Sequence, residues 1–153
     1  MTALTKDRNT VRSEGGIISL GVATGITIFA GAIVMRNAAG HATKGATALN
    51  LVGVGRAEER VTNAGSAGDM TIQVRIGIFH YNNSESSDQI AAADIGLPAY
   101  AVDDQTVAKT DGNGTRSIAG FVENVDSLGV WVRFDEIASR NYAALESAIA
   151  EMS

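Results

Sequence analysis

A chain of 153 residues with 17 glycines, one proline and no cysteine is long enough for one domain, burying roughly 70% of its unfolded surface. The absence of cysteine excludes disulfide staples, thiolate nucleophiles and cysteine zinc sites. The net charge of −5 argues against a general nucleic-acid binder, which needs cations to replace phosphate counterions. That charge is uneven: residues 1–60 carry +3 and residues 61–153 carry −8. The acidic half reads either as a solvated surface or as the outer face of a bipolar molecule whose basic end docks on an acidic partner.

In chain order, residues 1–14 are polar, with isolated Leu4 and Val11 and no sustained period. Such a segment buries too little to fold alone and reads as an extended arm that orders on contact. Lys6, Arg8, Arg12 and the two apolar anchors Leu4 and Val11 are its candidate contacts. The next charge-free run, Gly15 to Met35, has 21 positions, enough on length to span a bilayer. Its apolar residues come in short β-branched bursts, Ile17-Ile18, Ile26 to Phe29 and Ile33 to Met35, separated by glycines. That pattern fits buried strands of a soluble body better than a membrane helix. Ala30-Gly31-Ala32 has the small residues of a leader cleavage site, but Asp7 and Glu14 upstream are out of place in a cationic leader.

Leu51 to Ala57 alternates, with Leu51, Gly53, Gly55 and Ala57 on one face and Val52, Val54 and Arg56 on the other. Thr71 to Tyr81 places Ile72, Val74, Ile76 and Ile78 on one side, the period of a strand with one buried face. A polar loop follows from Asn82 to Ser87. Leu97 to Val102 reads as a short strand with Pro98 near its start, where a missing donor is tolerated. Asp103-Asp104 marks a turn, and Asp111-Gly112-Asn113-Gly114 is a hairpin signal. Ser117 to Glu123 and Val130 to Phe134 are the last two strands, with Val130, Val132 and Phe134 on one face and Trp131 and Arg133 on the other. Beyond Asp135 the spacing of Ala138, Tyr142, Leu145, Ile149 and Met152 is that of an amphipathic helix capped by Asp135. Its stripe either packs on the body or faces a neighbouring subunit, so Tyr142, Leu145 and Ile149 are further candidate contacts. The expected fold is mainly β: an arm (1–14), a barrel or sandwich body (15–134) and a C-terminal helix (135–153).

Catalytic patterns are not found in the sequence. His41 and His80 lack metal-ligand spacing, and no G-x-S-x-G elbow is present. His80 reads as a partly buried structural residue. Gly53-Val54-Gly55 opens like a dinucleotide loop, but Glu58 stands where its third glycine belongs. Asp111 to Thr115 resembles the start of a calcium loop, but Arg116 replaces the glycine required at the sixth position. Asn82-Asn83-Ser84 and Asn113-Gly114-Thr115 match glycosylation sequons with no leader to support them. Asp103-Asp104 and Asp135-Glu136 are adjacent pairs, placed as turn and cap residues rather than an acid/base couple. No cofactor and no metal is expected, and the chain reads as a non-enzyme.

From Gly68 to Phe134 the order of elements is distinctive. Gly77-Ile78-Phe79 precedes Gly96-Leu97-Pro98-Ala99-Tyr100, then Asp104 to Lys109, the turn at Asp111 to Gly114, Ile118-Ala119-Gly120-Phe121-Val122, and Gly129-Val130-Trp131-Val132. This order, over about half the chain, resembles the small capsid decoration (cement) proteins of tailed bacteriophages. Its motifs are G-x-P-x-Y and I-A-G-x-V; the uncharged N-terminal run and the C-terminal helix depart from the shorter members. The resemblance implies a compact β-barrel-like body on the outer surface of an assembled virion head, made in the host cytoplasm. It further implies bridging of major capsid protein subunits and clustering with itself as trimers or dimers, without nucleic acid or membrane as partner. The alternatives are another structural virion component, of the tail or of head completion, and a small ligand-binding or enzymatic β-barrel.

Overall fold

The computed structural model describes residues 2–153; Met1, the first residue of the expected arm, lies outside them. The charge-free run does break at its glycines into three strands: β1 (Ile17–Gly21), β2 (Ile26–Ile28) and β3 (Ile33–Arg36). Then come β4 (Ala42–Lys44), β5 (Val52–Ala57), β6 (Val61–Asn63), β7 (Thr71–Arg75), β8 (Ile78–Asn83), β9 (Pro98–Ala101), β10 (Thr106–Ala108), β11 (Ile118–Asp126) and β12 (Gly129–Arg133). One helix, α1 (Glu136–Glu151), ends the chain. Among the described residues no helix is long and apolar enough to cross a membrane.

The fold is mainly β, as expected, in three parts. An open sheet has the strand order β1-β7-β5-β3-β4; β10-β8-β12-β11-β9 closes into a barrel; β2 and β6 form an antiparallel ribbon. Two apolar clusters result. The barrel encloses Tyr81, Ala99, Ala101, Val107, Val130, Val132 and Phe134, and takes Ile33 and Met35 from the open sheet. The second cluster joins Val34, Val54, Ile72 and Val74 of the sheet to Ile28 and Val61 of the ribbon. A strand buried on both faces needs no polar alternation, which is why the run ending in β3 reads as continuously apolar.

Two expectations need correction. Thr71 to Tyr81 is not one strand with one buried face. Ile72 and Val74 are fully buried, but Ile76 and Ile78 are 37% and 38% exposed. The chain leaves the open sheet at Ile76, whose N–H bonds Gly16 O, and enters the barrel at Gly77, whose carbonyl accepts from Phe134 N. Within β8 it is Phe79 and Tyr81, not Ile78, that pack into the barrel. The two faces read for Leu51 to Ala57 are both covered: Val52, Gly53, Val54, Gly55 and Ala57 are all buried, because β5 lies between the two cores. Gly53 allows this, since a Cβ there would overlap the carbonyl of Ala119 on β11. Finally, Asp111 to Gly114 is no hairpin. It joins β10 to β11, which both pair with β9 and not with each other, while the β9–β10 hairpin turns at Asp103-Asp104.

Asp135 caps α1 as expected, its Oδ1 accepting from Ala138 N at 3.0 Å. The last two strands also stand as expected, with Val130, Val132 and Phe134 inward and Trp131 outward.

Candidate interaction surfaces

The expected contact residues lie in two separate places. Residues 2–14 are exposed throughout, with Leu4 at 73% and Val11 at 91%. Their polar contacts are local: Thr10 N bonds Arg8 O at 3.0 Å, and Arg12 meets Glu14 at 3.4 Å with both side chains in solvent. A pair so exposed contributes little to stability, so nothing here fixes the arm to the body. Lys6 and Arg8 are likewise exposed. The arm departs from β1, at the outer edge of the open sheet.

The helix stands elsewhere, against β11 and β5. The stripe divides along the helix, its first turns on the body and its last in solvent. Tyr142 rests on Phe121 of β11, ring centroids 6.1 Å apart and close to perpendicular, and is half-buried. Further on, Leu145 is 58% exposed, Ile149 55% and Met152 85%. The body instead grips the polar flank. Glu136 accepts from Arg36 Nε at 2.7 Å and Nη2 at 3.1 Å, joining α1 to β3, and also pairs with Arg140. Burial pushes the Glu136 carboxyl up, but the hydrogen bonds and charges of Arg36 and Arg140 outweigh it and hold the group below its ordinary range. Tyr100 Oη donates to Glu146 at 3.1 Å, and burial together with that carboxylate pushes the phenol upward.

Between helix and body lies a cleft of about 690 Å³, lined by Arg36, Arg116, Tyr100, Ser139, Arg140 and Glu146, among others. Its cations are already matched: Arg36 and Arg140 by Glu136, and Arg116 by Asp88 at 3.3 Å. With Asp111 and Glu146 also on its wall, it has no surplus positive charge to hold an anion. It is the seat of the helix.

A third feature escaped the sequence reading. At the β11–β12 turn Asp126 Oδ1 accepts from Leu128 N at 2.8 Å, Gly129 N at 2.9 Å and His80 Nε2 at 3.1 Å. Its Oδ2 accepts from Trp131 Nε1 at 3.0 Å. The indole and imidazole meet edge to face at 4.9 Å. His80 therefore sits partly buried, as expected, on the barrel's outer face opposite Trp131. Asp126 is its polar partner, and no hydroxyl shares it among the described residues. The one available signal was an aspartate opening a tight turn before glycine; the partner at position 80 has no local signature.

The His80 hydrogen bond, then that from Leu128 N–H, hold Asp126 at about 2, below its ordinary 3.8. A carboxyl depressed in the folded state stabilises it fully above the ordinary value and loses that contribution as pH falls through the depressed one. The sole tryptophan reports it directly. We expect Trp131 fluorescence to change in an acid step centred near pH 2, and the Asp126→Asn variant to show altered emission already at neutral pH with no such acid step. An acid step of the same midpoint in Asp126→Asn would assign it to other carboxylates.

No protein-family model, curated protein or solved structure matches this chain. Among the described residues no group of three or more His, Asp or Glu side chains is placed to hold a metal ion.

Proposed function

We propose that this protein is a non-enzymatic capsid decoration protein, binding the outer surface of an assembled phage head and bridging major capsid protein subunits. One observation carries the reading: an exposed arm, residues 2–14, runs straight into a strand of a rigid two-core body. A bridging protein needs both parts, a stiff block that sets the distance between neighbours and a segment that lies along a partner surface. The helix stripe at Leu145 and Ile149 adds a second, apolar contact on a different element. Two contacts on one rigid body make the second intramolecular, so weak contacts together give strong attachment. The sequence resemblance over residues 68–134 points the same way.

The test is titration of purified heads lacking this chain with the purified protein. Binding should saturate at a fixed number of copies per head. Deleting residues 2–14 should leave the body's circular dichroism unchanged and weaken binding by about tenfold or more, equivalent to about 1.4 kcal/mol. Unchanged affinity would remove the arm from the contact, and no saturable binding by the intact chain would overturn the reading.

A further inference from the structure

β1 has one free edge. It pairs with β7 alone, in an unbroken antiparallel register that sets Ile17 opposite Arg75 and Gly21 opposite Thr71. The hydrogen bonds flanking this ladder, Ile76 N to Gly16 O at 2.9 Å and Val22 N to Met70 O at 2.8 Å, fix its phase. Even-numbered residues of β1 face β7, so the N–H and C=O groups of odd-numbered residues point away from it. From Gly21 onward that outer side is taken: Val22 bridges Ala42 of β4, Ala23 N donates to Ala42 O at 2.9 Å, and a Cβ on Gly21 would lie 3.1 Å from the Gly68 Cα. Ile17 and Ser19 are open: both are exposed, and among the described residues their outward backbone groups have no partner. That leaves four unpaired groups in a row on a flat edge.

Natural edge strands are usually blunted by a charge, a proline or a bulge. β1 has none of these: no charged residue occurs from Gly15 to Met35, the one proline is Pro98, and the register does not slip. We propose that this edge is an interface between two copies of the chain, joined β1 to β1 in antiparallel pairing about a two-fold axis at Ile18. In that register Ile17 of each copy exchanges both backbone bonds with Ser19 of the other. The four open groups of one strand are then matched by the same four of the other, with none left over.

Two further observations favour a second copy as the occupant. The chain carries −5 overall, yet the paired strand is charge-free, so two copies meet there without like charges opposed. Ile18, half-buried at the rim of the second core, would meet its own copy across the axis and extend that core into the neighbour.

The absence of cysteine makes the test clean. Light scattering at about 100 μM, well above a micromolar-range dissociation constant, should give twice the 15.8 kDa of one chain. Ser19→Pro removes an N–H that β7 does not use and blocks the edge, so it should be monomeric with an unchanged dichroism spectrum. Ser19→Lys, which places a charge on the edge and makes no backbone demand, should be monomeric too and serves if the proline variant misfolds. Ile18→Cys should oxidise to a disulfide-linked pair, because directly opposed residues at such a site bring their Cα atoms to about 4.5 Å. A monomeric parent protein would overturn the proposal, as would a dimer that survives both Ser19 substitutions or an Ile18→Cys that does not cross-link. A monomer whose attachment to heads is lost in Ser19→Lys would give the edge to a strand of the shell, which also overturns self-pairing. Head binding and solution dimerisation are read separately, so either can fail without the other.

Discussion

Gly53→Val should yield no stably folded protein, and Gly53→Ala should already be destabilised by about 4 kcal/mol or more. At this position β5 passes β11 with backbone against backbone, and a built Cβ would fall inside the carbonyl of Ala119. Overpacking usually costs about 1–3 kcal/mol because side chains rotate out of the way. Here the obstacle is the main chain of a barrel strand, itself bonded to β9 and β12 on either side. Relief requires the open sheet to lift off the barrel, opening both cores along β5. Gly16→Ala is the control: a Cβ there meets nothing within 4 Å, and the backbone is not left-handed. It should be stable to within about 0.5 kcal/mol in the same urea titration. A folded Gly53→Val with parental stability would show that the two sheets do not depend on this contact.

The same close approach explains why some of the fold was legible in the sequence and some was not. Local signals were readable where one element has one neighbour. Asp135 caps α1 because cap chemistry is contained within four residues, and Val130, Val132 and Phe134 alternate because β12 has one core on one side. The run from Ile17 to Met35 broke into strands at its glycines for an equally local reason. Readings failed where an element serves two layers. The period of two through Ile72, Val74, Ile76 and Ile78 is real in sequence, but the chain changes sheets at Ile76-Gly77 and the period outlives the face it described. Left-handed backbone at Gly112, Asn113 and Gly114 made a turn, as the residues demand, though turn chemistry does not say which strands it joins.

The candidate surfaces divide in the same way. The exposure of Leu4 and Val11 was legible from composition, whereas the spacing marked Leu145 and Ile149 as one stripe without saying whether it packs on the body. Glu136 gripping Arg36, 100 positions away, or Asp126 reaching His80, 46 positions away, has no trace in local pattern. The open edge of β1 is a topological fact, invisible until the sheet order is known.

Ile33→Ala and Val34→Ala should each melt the whole molecule earlier, by about 10 °C, in one transition. The two residues are neighbours on β3, fully buried, and point into different cores: Ile33 into the barrel cluster and Val34 into the ribbon cluster. Truncating a buried isoleucine costs about 2–5 kcal/mol, and the smaller valine loses somewhat less. In a chain of this length about 3 kcal/mol corresponds to that shift in midpoint. What matters is where the loss is felt. Trp131 lies on the barrel wall, with its one indole bonded to Asp126, and reports the barrel alone. β3 lends alternate residues to both clusters, and Arg36 at its end holds α1 through Glu136. A cavity made on the Val34 side should therefore lower the midpoint seen by Trp131 fluorescence as much as that seen by far-ultraviolet dichroism. A Val34→Ala variant in which the dichroism midpoint falls and the Trp131 midpoint stays would show two bodies that fold apart. The rigid spacing asked of a bridging protein would then be lost, because α1 is held by both bodies, through β5 and Arg36 on one and through β11 on the other.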